Sequence, residues 1–229
     1  MKTIGLIGGT SWVSTIDYYR LLNEGVNAQL GGSQAARCIV YSFNFGDLIE
    51  ITKRQDWDTL LDLVADAAIN LQRSGAEGLV LCANTLHVIA DRLEDRLELP
   101  LIHIVDATAA EIRKAGIERV SLLGTRYTME LPFFKERLAR HGIVGVTPEL
   151  ADRDFIHESI FSELGKNILR DTTRARFLSV IDTLAKQGAT GSILGCTEIP
   201  LLIKQSDTSV PVFDTTALHA RAAVDFVLS

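Results

Sequence analysis

Only three of the 229 residues are cysteine, Cys38, Cys82 and Cys196, and so sparse and odd a set cannot form the disulfide framework of a small secreted domain. No apolar run approaches the roughly 18 to 20 residues of a membrane helix. Met1-Lys2-Thr3-Ile4-Gly5 passes into a strand-like segment without an apolar signal region. Both absences point to a cytoplasmic chain with no membrane partner. Excess positive charge is missing too: the net charge is −6 and the pI near 5.4, which argues against nucleic acid as a partner. An acidic substrate would have to be held by local cations, for which Arg54, Arg126 and Lys166 are candidates. Cys82 and His87 lack a second close ligand pair, so no metal is expected. The glycine turn Gly5-x-x-Gly8-Gly9 is not G-x-G-x-x-G and has no acidic residue at ribose spacing, so no dinucleotide cofactor is expected.

What is present is alternation. Apolar runs at Thr3–Ile7, Cys38–Tyr41, Gly78–Leu81, Leu101–Ile104, Arg119–Leu123, Val144–Val146, Gly191–Leu194 and Val210–Phe213 read as strands. Between them, Tyr18–Gln29, Trp57–Arg73, Glu130–Arg140, Arg153–Leu164 and Thr173–Gln187 read as helices. This is the pattern of βα units on parallel sheets, an α/β fold. Glycine turns at Gly8-Gly9 and Gly124 each precede a cysteine segment by about seventy residues, which suggests an internal duplication into two Rossmann-like halves. With the final strand and helix returning to the first half, the halves are expected to be 1–102 plus 208–229, and 103–207. Gly31-Gly32-Ser33 and Gln205-Ser206-Asp207 read as loops.

The two cysteine segments, Leu81-Cys82-Ala83-Asn84-Thr85 and Leu194-Gly195-Cys196-Thr197-Glu198, each follow an apolar strand and lead toward a helix. In open α/β sheets such positions line the ligand site, so both thiols and the small polar side chains beside them could face one cleft. Asn84-Thr85 and Thr197-Glu198 are expected to cap the helices that follow, and a helix start lowers the pKa of a nearby thiol. The Gly8-Gly9 turn would let Thr10 and Ser11 offer hydroxyl and N–H donors to a carboxylate. His87, one turn beyond Asn84, is placed to orient that loop. Trp12, Tyr18 and Tyr19 read as packing residues of the first helix, and His103 and His219 as packed histidines. Cys38, with no polar motif around it, reads as a small buried hydrophobe.

Together these segments resemble the aspartate/glutamate racemase superfamily, PLP-independent racemases and relatives that include glutamate racemase, hydantoin racemase, maleate isomerase and arylmalonate decarboxylase. The likeness spans nearly the whole chain: Gly8-Gly9-Thr10-Ser11-Trp12, Ala83-Asn84-Thr85-Leu86-His87, Leu123-Gly124-Thr125, Gly195-Cys196-Thr197-Glu198 and Pro211-Val212-Phe213-Asp214-Thr215. Glu198, where glutamate racemases typically have His, is similar to the aspartate racemase branch. The resemblance implies two Rossmann-like halves with the active site between them, a homodimer, no cofactor, and racemisation of a small acidic amino acid by thiol acid/base chemistry. It makes Cys196 catalytic and Thr10, Ala83, Asn84, Thr85, Thr125, Lys166, Thr197 and Glu198 substrate-binding.

One departure matters. Two-cysteine members carry Cys-Asn-Thr, whereas here Ala83 precedes Asn84-Thr85 and Cys82 stands one residue earlier. Successive side chains of an extended segment face opposite ways, so Cys82 could join the chemistry only through a re-bent loop. The scaffold alone leaves open a one-thiol decarboxylase, a cis–trans isomerase of a small diacid, or a non-catalytic binder of an acidic metabolite.

Overall fold

Eight short strands form two parallel sheets of four, each with the order second, first, third, fourth. The computed structural model describes residues 1–229, divided into one unit of 1–104 with 219–229 and another of 105–218. In the first, β1 (Ile4–Gly8) lies between β2 (Cys38–Ser42) and β3 (Gly78–Leu81), and β4 (Leu101–Ile102) flanks β3. In the second, β5 (Arg119–Gly124) lies between β6 (Val144–Val146) and β7 (Gly191–Gly195), and β8 (Val212–Asp214) flanks β7. The central strands β1, β3 and β7 are buried along their whole length while edge strand β2 is partly exposed, as expected when helices cover both faces of a parallel sheet.

The helices of the first unit are α1 (Trp12–Leu30), α2 (Phe45–Lys53), α3 (Trp57–Arg73) and α4 (Ala90–Glu94), and α5 (Ile104–Lys114) carries the chain into the second. There follow α6 (Arg126–Glu130), α7 (Pro132–Arg140), α8 (Leu150–Ser162), α9 (Asp171–Lys186), α10 (Ile199–Leu202) and α11 (Thr215–Leu228). Helix α3 shows how local sequence sets these elements. Asp56 caps it by accepting from the Thr59 N–H at 3.1 Å, and Leu60, Leu61, Val64, Ala67, Ala68 and Leu71 recur at helical spacing and are buried. Each α3-type face buries one side of a strand: Leu79 and Leu81 pack with Leu60, Val64 and Leu86, whereas Val80 and Cys82 pack with Tyr18, Leu22 and Val26 of α1 and Ala223 and Val224 of α11.

Several expectations change. The last strand pairs with β7 through Ser192↔Val212, Ile193↔Phe213 and Leu194↔Asp214, so it belongs to the second sheet, and α11 crosses to the first unit at 218/219. The run Leu101–Ile104 is a strand only at 101–102, because α5 already begins at Ile104. The stretch read as one helix over Glu130–Arg140 is two, parted where Leu131 is extended and Pro132 opens α7. Gln205–Asp207 is a 3₁₀ turn rather than a loop. Helix α2, too short and too mixed to show periodicity, was not anticipated.

The second unit carries a constraint at the end of its central strands, β5 and β7. A Cβ on Gly124 would stand 2.8 Å from the Gly195 carbonyl oxygen, and one on Gly195 would stand 2.9 Å from that of Leu123. Gly124→Ala should therefore cost about 1 to 3 kcal/mol in urea unfolding, the usual scale of overpacking against rigid backbone. Unchanged stability would show that the strands separate freely there.

Candidate active site

Cys196 lies one residue beyond β7 and is nearly buried, at 9 % exposure. Its Sγ donates to Glu198 Oε2 at 2.8 Å, and the Thr197 hydroxyl donates to the same oxygen at 2.7 Å. A carboxylate oxygen can only accept, so the sulfur carries its proton in this arrangement. Burial pushes the Cys196 thiol well above its ordinary value, and the Glu198 charge and hydrogen bond add to that, while the backbone N–H groups of Glu198 and Thr197 pull the other way. The expected lowering by a helix start is thus outweighed: α10 has only four residues, and a carboxylate sits against the thiol. Glu198 stands at the helix N-cap without a side-chain cap bond, and Thr197 spends its hydroxyl on Glu198.

The duplication identifies the counterpart of Cys196. Register pairs Ile7 with Leu81 and Leu123 with Leu194, one residue before Gly8 and Gly124. Counting on from Leu81 and Leu194 matches Cys82 to Gly195, Ala83 to Cys196, Asn84 to Thr197 and Thr85 to Glu198. Burial agrees: Leu194 and Cys196 share the core cluster beneath α8 and α9, and Ala83 packs at the equivalent cluster beneath α2 and α3. Cys82 is wholly buried on the opposite face among Tyr18, Val80 and Val224, and burial drives its thiol pKa far up. The loop is not re-bent, so Cys82 is a core residue where it stands.

The remaining predicted residues fall into both units. Thr10 has its hydroxyl shielded from solvent with no hydrogen-bond partner in the protein, and Ser11, at the N-cap of the 19-residue α1, makes no side-chain cap bond. The Gly9 N–H is already taken by Thr15 Oγ1 at 2.9 Å. Gly9 needs to be glycine: its φ is +81° and a Cβ would meet the Phe43 carbonyl. Asn84 is buried and begins a 3₁₀ turn over Thr85–Ile89 without a cap bond, in place of the expected helix cap. Thr125 is buried and caps α6, accepting from the Thr128 N–H at 3.4 Å. Lys166 is exposed at the end of the 3₁₀ turn Leu164–Lys166, and Arg126 is paired with Asp154 at 2.7 Å.

The family profile for Asp/Glu/Hydantoin racemase matches residues 7–223. The chain belongs to that family. Membership makes it an isomerase of the amino-acid racemase kind. Among solved structures, a candidate Asp/Glu racemase from Yersinia pestis is 49 % identical with a TM-score of 0.95, and an aspartate racemase homologue from Pyrococcus horikoshii is 34 % identical with a TM-score of 0.89. Each comparison covers 100 % of both chains. A broad-specificity amino-acid racemase from Bacillus subtilis is 23 % identical over 177 residues, 76 % of this chain and 75 % of that protein.

Behind the racemase-family loop at Ala83 lies a support that sequence pattern only hinted at. The His87 Nε2 accepts from the Ile104 N–H at 3.2 Å, which leaves the proton on Nδ1, where it reaches the Ala83 carbonyl at 3.0 Å. His87 therefore does hold the loop. His219 receives the Tyr18 O–H on Nδ1 at 2.8 Å and donates from Nε2 to the Ile102 carbonyl at 2.6 Å. The His87 ring lies 4.7 Å from that of His103 and 5.5 Å from that of His219. Ser14 and Thr215 were not anticipated: the Ser14 hydroxyl donates to the Cys82 carbonyl and that of Thr215 to the Leu194 carbonyl, each at 3.0 Å, pinning the ends of β3 and β7. Single hydroxyls in apolar helices carry no sequence signal for such long-range bonds.

Burial holds His87 well below its ordinary pKa and His219 down to about 4. An unfolded imidazole titrates near 6.5, so stability from these neutral rings is complete above that pH and drains away as pH falls toward about 4. For His219 the loss is on the order of 3 kcal/mol. Chemical unfolding at pH 7, 6, 5 and 4 should show this decline, and His219→Gln should flatten it. Equal slopes in both proteins would contradict the assignment.

Proposed function

We propose that the protein racemises a small acidic amino acid without a cofactor, with Cys196 as the acid/base on one face of Cα. The observation that supports this most is a nearly buried thiol hydrogen-bonded to a carboxylate in the family's Gly195-Cys196-Thr197-Glu198 segment. Abstraction of a Cα proton leaves charge that must be held by donors around the substrate carboxylate. In this proposal Thr10, Ala83, Asn84, Thr85, Thr125 and Thr197 surround the substrate, and the partnerless Thr10 hydroxyl together with the uncapped start of α1 offers donors to a carboxylate. Lys166, exposed and outside any ion pair, is the cation of the proposed set. A homodimer in the cytoplasm belongs to the same proposal, and sedimentation should give twice the 25.1 kDa of one chain.

Ala83 governs how the second face works. Alanine transfers no proton and Cys82 is turned into the core, so water at the Ala83-Asn84-Thr85 loop serves that face. The same observation favours a second reading, a one-thiol decarboxylase, for which substituted malonates are the discriminating substrates.

The reading is tested by chiral chromatography of aspartate and glutamate incubated with three proteins. Racemisation by the wild type should fall at least about a hundredfold in Cys196→Ser, the scale of a lost acid/base. Cys82→Ala should keep nearly all of it while losing about 1 kcal/mol of stability. No inversion of either amino acid by the wild type would overturn the proposal, and loss of activity in Cys82→Ala would reinstate the first thiol.

A further inference from the structure

We infer that Tyr18, His87 and His219 are positioning residues of the reaction, a buried line of hydrogen bonds that sets the Ala83-Asn84-Thr85 loop against the start of α5 and so fixes where that loop meets substrate. The inference rests on the racemase reading and deepens it. All the groups lie in the first unit, and all three side chains are buried. His87 reaches from the Ala83 carbonyl, 3.0 Å from Nδ1, to the Ile104 N–H, 3.2 Å from Nε2. That N–H opens α5 and has no carbonyl to meet within its own helix. One nitrogen of the ring therefore caps a helix while the other holds the loop. His219 takes the Ile102 carbonyl at 2.6 Å and the Tyr18 hydroxyl at 2.8 Å. The two histidines thus grip the chain on either side of His103, where β4 ends and α5 begins. Tyr18 ties that grip to α1.

Each ring has a single usable proton arrangement. A backbone N–H only donates and a carbonyl only accepts, so His87 carries its proton on Nδ1 and His219 on Nε2. The two rings stand in opposite tautomers although their centres are 5.5 Å apart. A second proton on His87 would set N–H against N–H at Ile104, so the ring holds both partners only while neutral. Neighbouring rings restrict it further: His103 packs edge-on 4.7 Å from His87, and Tyr18 edge-on 5.5 Å from His219. Counting on from Leu81 and Leu194, the position that matches His87 in the second unit is Pro200, which offers no ring nitrogen. The device is thus confined to the loop in which Ala83 matches Cys196. That loop's share of the work is to hold substrate with Asn84 and Thr85, and a misplacement of about 1 Å can cost on the order of a hundredfold in rate.

Nitrogen-15 NMR of the imidazoles at neutral pH should find the Nδ1–H tautomer at His87 and the Nε2–H tautomer at His219. The opposite tautomer at His87 would overturn the inference. His87→Leu keeps the bulk and neither bond, whereas His87→Gln offers an amide N–H and a carbonyl oxygen to the same two partners and takes no charge. In racemisation of aspartate and glutamate, kcat/KM should fall at least about tenfold in His87→Leu and return to within about threefold of wild type in His87→Gln. Tyr18→Phe, which removes one buried hydroxyl, should lose at least about threefold. Hydrogen exchange over residues 83–89, followed by mass spectrometry, should be at least about tenfold faster in His87→Leu and near wild type in His87→Gln. Wild-type turnover in a folded His87→Leu would overturn the inference. So would a His87→Gln protein as slow as His87→Leu with wild-type circular dichroism, since the two bonds would then not be what turnover needs. If His87→Leu fails to fold, Tyr18→Phe decides: unchanged turnover with unchanged exchange would overturn the inference. Should the wild type racemise nothing, the racemase reading fails, while the tautomers and the exchange rates still judge whether these residues set the loop.

Discussion

Side chains on a strand alternate, and that period of two settles which face of its sheet each thiol of this protein joins. Where β3 runs out, Cys82 continues the face of Val80 and Ala83 continues the face of Leu81. Where β7 runs out, Cys196 continues the face of Leu194. The same register therefore gives a thiol at one strand end and a methyl group at the other. A shift of one residue in sequence is a complete reversal in space.

Electrostatics at the surviving thiol then take an unexpected direction. A cysteine poised near a helix start would have been activated by lowering its pKa. Here burial and the Glu198 carboxylate raise it, so the site stores a proton on sulfur instead of exposing a thiolate. In the first unit, a neutral histidine that accepts from the Ile104 N–H holds the carbonyl of Ala83 and with it the shape of that loop.

Much of this was legible in the sequence for physical reasons. Strands buried on both faces are continuous apolar runs, and Gly78–Leu81 and Val144–Val146 have the bounds their patterns gave them. The duplication showed in the spacing of glycine turns and cysteines. The apolar run Leu101–Ile104 hid the start of α5, because an apolar tetrapeptide fits either a strand or a helix entry. The partner of the last strand was not legible, since Val210–Phe213 carries no mark of which sheet it joins. The hydrogen bond between Cys196 and Glu198 was not legible: a carboxylate after Cys-Thr reads equally as a cap, a substrate contact or a partner of the thiol. The 2.8 Å bond gives that carboxylate the thiol as a partner.

In the proposed racemase, Cys196 is the acid/base on one face of Cα and no protein acid/base serves the other. The most direct measurement of this is proton NMR of each enantiomer of aspartate and glutamate incubated with the protein in D2O, following Cα deuteration and configuration together. The account predicts that one enantiomer gains deuterium with retention at least about tenfold faster than it inverts, and that Ala83→Cys brings the two rates together. Inversion as fast as exchange from both enantiomers in the wild type would contradict it, because a second acid/base would then have to stand where Ala83 does.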